Sequence, residues 1–306
     1  MSALRFGLTG PNQREDLATL EALPIDSIWV GGHVAAPNGS PEVIVALARL
    51  AALTERVRIG TSILLLPLYP PAIVAKAVAD LDRVSGGRVS LGVGIGGEYP
   101  AEFQACQIPI GERGPRTDEA IGLIRRFWTG EPVTHDGRFY PIDDVRIHPA
   151  PAQTGGPPII VAGRQPPAMR RAALLGDGWM PYLYSPRRYA ASVETITDCA
   201  ARAGRDLGGF EWCAFLFVNI DDGDGNAARE ETGKFLGGTY SQNFSEMVSS
   251  VAVAGTAAEV TARLQEFVDA GARHLIITTA TRTRWWPVVR QLADDVLPAL
   301  TVLEGI

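Results

Sequence analysis

Short runs of apolar and β-branched residues alternate with longer segments of helical periodicity along the whole chain. This alternation predicts eight strands, each followed by at least one helix. The predicted strands are residues 5–9, 27–30, 58–64, 89–93, 158–162, a short strand ending at 179–180, 212–220 and 273–278. The predicted helices are 14–23, a helix that Pro41 opens, 72–84, 116–128, 167–175, 187–203, a helix that a Thr256–Glu259 capping box starts, and 286–303.

Strands that alternate with helices in this way indicate an α/β protein with a parallel sheet. Eight such units in 306 residues favour a closed (β/α)8 TIM barrel over an open, doubly wound sheet. No Pro/Ser-rich linker or run of charge divides the chain, so we expect one domain over residues 1–306. Two segments exceed the repeat: 131–157 predicts a small hairpin over the barrel mouth, and 221–255 a mobile excursion, most mobile over 221–240.

Composition and charge exclude several classes of protein. The 28 basic and 34 acidic side chains give a net charge of −6, whereas a nucleic-acid partner requires a concentrated basic face. The longest apolar stretch, around 63–75, is interrupted by three prolines and is too short for a membrane span. The N-terminus lacks a signal pattern, and the three cysteines form no CxxC pair. We therefore expect a cytoplasmic protein with neither a membrane nor a nucleic-acid partner.

In a (β/α)8 barrel, the chemistry sits at the C-terminal ends of the strands. The second strand ends in Gly31-Gly32-His33, where an imidazole can exchange a proton near neutral pH; a histidine bonded to loop backbone is the alternative. The fourth strand ends in Gly92-Val-Gly-Ile-Gly-Gly97, which matches GxGxxG. The dinucleotide fingerprint belongs to the first βαβ unit, so we favour glycines that let a flat ring or its side chain approach the backbone.

Further candidates follow the later strands. The fifth strand ends in Ala162-Gly163-Arg164-Gln165, and free N–H groups of the next helix together with Arg164 favour an anion site; a simple glycine turn is the alternative. Arg282 and Arg284 come just after the eighth strand. They could bind an anionic substrate or cofactor tail; solvated loop charges are the alternative. We take Glu98, Trp179 and Arg282 as candidates for contact with substrate.

Several chemistries are disfavoured by the residues at hand. The chain has two lysines, of which Lys76 falls in a predicted helix and Lys234 in the excursion, so neither suits a Schiff base on a barrel strand. The four histidines show no metal-binding spacing such as HExxH, so we predict no metal site, and no GxSxG elbow is present. These features indicate a barrel in which a cofactor with a phosphate tail carries the difficult chemistry.

An ordered series of motifs over nearly the whole chain resembles the bacterial luciferase-like family of flavin and deazaflavin oxidoreductases. The matching segments are 26–33 (DSIWVGGH), 58–67 (RIGTSILLLP), 81–88 (LDRVSGGR), 91–96 (LGVGIG), 112–114 (ERG), 127–131 (FWTGE), 157–163 (PPIIVAG), 176–179 (GDGW) and 253–256 (VAGT). The chain is most similar to the branch that uses the deazaflavin coenzyme F-420 (F420). It departs from that branch at Gly32, where members often carry an acidic residue, and at Gly97, where some carry a glutamate.

The resemblance implies a site. It places a non-proline cis peptide at Ser62–Ile63 behind the flavin-type ring, the cofactor phosphate at the turn after the fifth strand, and His33 near the reacting ring. The cofactor site implied in this way comprises Gly32, Ser62, Ile63, Gly94, Ile95, Gly96, Gly97, Ala162, Gly163, Arg164 and Gln165. It also implies a homodimer, since dimers are common in the family.

We therefore expect an oxidoreductase that transfers hydride between F420 and a small organic substrate that the sequence does not identify, with His33 as the catalytic residue. An FMN-dependent monooxygenase that uses reduced flavin and O₂ on the same scaffold is the first alternative. A non-catalytic flavin-binding protein is the second.

Overall fold

A computed structural model describes residues 4–10, 14–36, 39–240 and 242–302 of the chain. The strands are β1 (Arg5–Thr9), β2 (Ser27–Val30), β3 (Arg58–Thr61), β4 (Leu64–Leu65), β5 (Val89–Gly94), β6 (Val133–His135), β7 (Ile142–Val145), β8 (Ile159–Ala162), β9 (Gly178–Met180), β10 (Glu211–Ile220), β11 (Val253–Gly255) and β12 (His274–Thr279). The helices are α1 (Arg14–Glu21), α2 (Val43–Leu53), α3 (Pro71–Val84), α4 (Pro100–Ala105), α5 (Arg113–Trp128), α6 (Pro166–Leu175), α7 (Pro186–Arg202), α8 (Gly225–Tyr240), α9 (Val248–Val251), α10 (Ala257–Asp269) and α11 (Trp285–Gln291).

Eight parallel strands form a closed ring in the order β1, β2, β3, β5, β8, β9, β10 and β12. Pairing of β12 with β1 and of β9 with β10 closes the ring on both sides. The predicted TIM barrel is therefore confirmed. The last helix was predicted over 286–303. In the structure α11 is followed by a π-helical segment, Leu292–Val296, and a 3-10 turn, Leu297–Ala299, and the backbone of Leu300 is extended. Leu303 lies outside the described residues.

The third predicted strand is divided in two. β3 ends at Thr61, and β4 resumes at Leu64 and pairs with β5. The peptide bond between Ser62 and Ile63, at this break, is cis, as the resemblance implied.

The hairpin prediction is wrong in position. An antiparallel hairpin of β6 and β7 does exist within 131–157, but it does not lie over the barrel mouth. It connects the end of α5 to the start of β8, and such connections lie at the N-terminal ends of the barrel strands. Glu119 of α5 fixes it there by accepting hydrogen bonds from the backbone N–H groups of Phe139 and Tyr140. The hairpin thus packs beside the barrel, away from its mouth.

The excursion prediction is wrong for residues 225–240, which form helix α8. The acidic turn before it is a helix start: the carboxylate of Asp221 accepts from the N–H of Gly223, and that of Asp224 accepts from the N–H of Asn226. Ala228 and Leu236 are fully buried against the barrel. A packed helix therefore stands where we expected an irregular loop.

Trp29 fills the barrel interior because its neighbours on the adjacent strands are glycines. A Cβ atom at Gly60 would lie 2.5 Å from the Trp29 ring, and one at Gly7 would lie 2.8 Å from its Nε1 atom. Ile160, Met180 and other apolar side chains pack against Trp29. The interior is thus solid below the mouth, which confines any ligand to the C-terminal end.

Candidate active site

A cavity of about 480 Å³ opens at the C-terminal ends of the barrel strands, a size typical of small-molecule sites. Most of the predicted site residues line it. They are Gly32, His33, Ser62, Ile63, Gly94, Ile95, Gly96, Gly97, Glu98, Ala162 and Gly163. The ends of four barrel strands, β2, β3, β5 and β8, therefore bring together residues that are up to 131 positions apart in the sequence.

Four predicted residues are not among those that line the cavity: Arg164, Gln165, Trp179 and Arg282. The guanidinium of Arg164 lies at the rim, 4.9 Å from the centre of the Tyr182 ring, and Gln165 is exposed. Arg282 is exposed, with its guanidinium beside Gly238 of α8.

Trp179 is not accessible to a substrate. Its side chain is 0% exposed and packs against Tyr184 and Tyr189. Its Nε1 atom donates to the carbonyl of Gly163 at 2.8 Å. Trp179 therefore supports the turn after β8 from behind.

The predicted anion site on the helix after β8 is weaker than expected. Pro166 and Pro167 begin α6 and have no N–H to donate. The next two N–H groups, of Ala168 and Met169, both donate to the carbonyl of Gln165. Recognition of an anion there rests on the Arg164 side chain and on the backbone of the turn.

His33 is held by a carboxylate that the sequence analysis missed. The Nδ1 atom of His33 lies 3.1 Å from Oε1 of Glu102, whose side chain is fully buried in α4. The same oxygen accepts from the N–H of Val34 at 2.7 Å, and the edge of the imidazole meets the Tyr99 ring. Because a carboxylate can only accept, the hydrogen of a neutral His33 ring lies on Nδ1, and Nε2 is left as a base.

The sequence contains a signal for Glu102 that we did not use. Glu98-Tyr-Pro100 follows the glycines, and a proline there favours the first turn of a helix. Helix α4 begins at Pro100 and places Glu102 in that turn.

The glycines after β5 let the chain pass close to its neighbours. A Cβ atom at Gly94 would overlap the side chain of Ile63, and Gly97 has φ of 119° and lies against Arg113. Two polar atoms of the cavity wall, Oγ of Ser62 and Nε of Arg113, are buried without a hydrogen-bond partner within the described part of the chain. Unpaired buried polar atoms are costly, so these two indicate a site built for a polar ligand.

The opposite side of the cavity is an aromatic wall, defined by Tyr182, Phe215, Phe217, Phe235 and Tyr240. Tyr182 and Tyr240 are stacked with ring centres 6.0 Å apart, and Phe217 meets Tyr240 edge-on at the same distance. Phe217 also contacts Phe215 and Phe235. The rings thus form one continuous surface contributed by β10, α8 and the segment after β9.

The hydroxyl groups of this wall stay protonated. Tyr182 donates to Oε1 of Glu98 at 2.7 Å. Burial raises the pKa of Tyr182 well above its usual value, and the charge of Glu98 adds to the effect. Burial likewise raises the pKa of Tyr240. Both phenols are therefore neutral hydrogen-bonding groups at physiological pH.

A second polar cluster lies at the N-terminal ends of the strands, away from the cavity. The acid–base atoms of Glu211, Cys213 and His274 lie within 4.8 Å of one another. Arg5 donates a hydrogen bond to Glu211 at 2.8 Å, and the hydroxyl of Ser27 lies 2.7 Å from Nε2 of His274. The carboxylate and the imidazole of this cluster therefore already have hydrogen-bond partners within the protein. Burial lowers the pKa of His274.

The family model for luciferase-like monooxygenases matches residues 10–274. The chain belongs to this family. It is 30% identical over 322 aligned positions to the F420-dependent glucose-6-phosphate dehydrogenase of Kineococcus radiotolerans, with 95% of this chain and 93% of that protein covered. It is 33% identical to the 4-hydroxyprotoasukamycin monooxygenase of Streptomyces nodosus, with 66% and 57% covered.

Other comparisons agree on the fold. The chain spans about half the length (49%) of uncharacterised mycobacterial relatives, among them one from Mycobacterium tuberculosis, with 41% identity over 145 residues and 47% of this chain covered. An F420-dependent secondary alcohol dehydrogenase, solved with an F420-acetone adduct, superposes with a TM-score of 0.85 at 21% identity, covering 98% of this chain and 99% of that one.

Within the described ranges, no helix combines the length and apolar character needed to cross a bilayer.

Proposed function

We propose that this protein is an F420-dependent oxidoreductase that transfers hydride to or from a small organic substrate. The observation that supports this most is the His33–Glu102 pair at the cavity wall. When hydride leaves an alcohol carbon, or is added to a carbonyl carbon, the substrate oxygen must also lose or gain a proton, and His33 can exchange it. The relative from Kineococcus radiotolerans, which aligns over nearly the whole chain, carries an F420-dependent activity in its name.

The residues of the cavity fit such a cofactor. The glycines from Gly94 to Gly97 and the Ile63 side chain offer a smooth surface to a flat ring, and the unpaired hydroxyl of Ser62 offers it a hydrogen bond. The Gly163 turn and Arg164 are suited to its phosphate. When bound, the deazaflavin supplies or accepts the hydride.

The protein's own contribution is the proton and its placement. Nε2 of His33 takes the proton from a substrate hydroxyl as a carbonyl forms, and returns it in the reverse direction. Glu102 keeps the imidazole in the required tautomer and stabilises it when it becomes charged. The apolar wall excludes bulk water, which strengthens these interactions.

Titration of the protein with F420 and with FMN, followed by cofactor fluorescence, tests the cofactor. We expect micromolar binding of F420, and binding of FMN alone would overturn the assignment. Binding of F420 without turnover on any alcohol, aldehyde or enone would instead support the non-catalytic flavin-binding alternative.

An FMN-dependent monooxygenase is the second candidate, because the matching family model and the Streptomyces relative are both monooxygenases by name. A deazaflavin lacks the ring nitrogen next to which flavins activate O₂, so the two candidates differ in oxygen use. Stoichiometric O₂ consumption during turnover with reduced FMN would favour the monooxygenase. Turnover with F420 under strict anaerobiosis would favour the proposal above.

A further inference from the structure

The two sides of the cavity differ in chemistry. One side, called the glycine side, is formed by β2, β5, β8 and the break after β3. It presents backbone atoms, the glycines at the ends of β5 and β8, and His33. The other side is the aromatic wall, whose five rings offer flat apolar surface. Once a ring-shaped cofactor occupies the glycine side, the aromatic wall is the surface left for the substrate.

Charge on the lining argues against an anionic substrate. Among the described residues that line the cavity, Glu98 and Arg113 are the only ones with a permanent charge besides the titratable His33. Arg113 lies against Gly97, on the glycine side, and its Nη1 atom already donates to the carbonyl of Ile110. Two charged groups lie against Tyr182 of the aromatic wall: the carboxylate of Glu98, which accepts its hydroxyl hydrogen, and the guanidinium of Arg164, 4.9 Å from its ring. The proposed function assigns Arg164 to the cofactor phosphate, so the charge left to a substrate at this wall is that of Glu98, which repels anions.

The lysines do not change this balance. Lys234 is on α8 but exposed, and Lys76 donates to the carbonyl of His148 on the outside of the barrel. With Arg164 engaged by the cofactor, a phosphate dianion at the aromatic wall would lie on apolar rings near the Glu98 carboxylate, which is unfavourable for a doubly charged group. A flat uncharged molecule there gains aromatic contact and apolar burial at no such cost.

We infer that the substrate is an uncharged alcohol or carbonyl compound with an aromatic or flat alicyclic ring, which packs against the aromatic wall with its oxygen toward His33. This inference rests on the proposed function for its reaction, but the binding preference follows from the wall alone. Tyr182 and Tyr240 add neutral hydroxyl groups at the edge of the rings. We therefore expect a sugar phosphate to bind this wall less tightly than an uncharged ring compound.

The test compares two probes that differ in one charge, acetophenone and 4-acetylbenzoate, with glucose 6-phosphate as a third. Their affinities are measured by isothermal titration calorimetry on the full chain, with and without F420. We expect acetophenone to bind at least about tenfold more tightly than either anion. Equal or tighter binding of 4-acetylbenzoate or of glucose 6-phosphate would overturn the inference.

Variants of α8 locate the binding. Phe235→Leu keeps apolar volume but removes the ring, and we expect it to weaken acetophenone binding by about three- to tenfold with unchanged F420 affinity and melting temperature. Lys234→Ala, the exposed neighbour, is the matched control and should change nothing. Phe235→Arg should reverse the preference in favour of 4-acetylbenzoate. Acetophenone binding that survives both Phe235 variants unchanged would overturn the inference.

The two proposals fail separately. Loss of F420 binding with intact acetophenone preference would refute the proposed cofactor and leave the substrate class supported. Normal F420 binding with no preference for the uncharged probe would refute the substrate class and leave the cofactor supported.

Discussion

One oxygen of Glu102 lies 3.1 Å from Nδ1 of His33 and 2.7 Å from the backbone nitrogen of Val34. A single buried carboxylate therefore fixes both the imidazole and the backbone that carries it. The contact joins the loop after β2 to helix α4, across 69 positions of sequence. The orientation of His33 is thus set by the fold and does not depend on a bound ligand.

Replacing His33 by alanine should lower turnover by about 10²–10⁴-fold, because the variant has no group to exchange the proton. The affinity for F420 should stay within a few-fold, since the turn after β8 is untouched. Turnover, F420 affinity and melting temperature are measured on the same preparation. Near-normal turnover per folded molecule together with a lower melting temperature would show that His33 is only structural.

Replacing Glu102 by glutamine should lower kcat by about tenfold and change KM little, because a carboxamide can donate as well as accept and no longer selects one tautomer. The ¹H–¹⁵N NMR signals of the His33 ring report the tautomer directly. We expect a shift from an Nδ1–H ring to a mixture. Glu98→Gln is the comparison, since that carboxylate contacts Tyr182 and not His33, and an identical ring spectrum in Glu102→Gln would refute the positioning role.

Replacing Glu231 by alanine should reduce the free energy of unfolding by about 1–3 kcal/mol. Its carboxylate accepts from Asn219, Thr281 and Arg284, so it ties α8 to the ends of two barrel strands. Urea unfolding of the variant is compared with Glu230→Ala, an exposed neighbour that should stay within about 0.5 kcal/mol of the natural protein. Equal stability of the two variants would show that α8 is held by its apolar face alone.

Stability should fall as the pH is lowered from about 7.5 to 5, partly through His274. Burial lowers the pKa of His274 in the folded protein below its value of about 6.5 in an unfolded chain. The unfolded state therefore takes up the proton first, so this contribution is present above about pH 6.5 and is lost as the pH falls through the folded pKa. His274→Gln should flatten the dependence of unfolding free energy on pH, which urea unfolding at a series of pH values measures; an unchanged dependence would refute this role of His274.

The sequence predicts the barrel because each strand and helix carries its own local periodicity, and it predicts most of the cavity because strand ends converge in this fold. Gly94 and Gly163 could be assigned in this way. Glu102 could not, because its role depends on a short helix between two longer elements and on contact with a distant loop. The aromatic wall was missed for a different reason: Phe235 and Tyr240 belong to α8, which we predicted to be an irregular excursion, so their contact with β10 was not expected.

Two further errors have specific physical causes. The Asp-rich segment before α8 was interpreted as a mobile loop, but aspartates that accept from N–H groups two positions ahead also begin helices. Trp179 was assigned to substrate because it ends a strand, but its side chain faces Tyr189 in the layer between barrel and helices. Alternation along a strand decides which side a residue faces, and a three-residue strand gives too little pattern to determine it.

The glycine side of the cavity comes from residues 31–163 and the aromatic wall from residues 182–240, so the two sides occupy consecutive stretches of the chain. Substitutions that diversify the second stretch leave the first one unaltered. A library of variants confined to residues 215–240, which keeps Tyr182 and its contacts with Glu98 and Arg164, would therefore sample new substrates over a constant cofactor pocket. The same separation allows a gene lineage to acquire new substrates by exchanging one internal segment while keeping its redox chemistry.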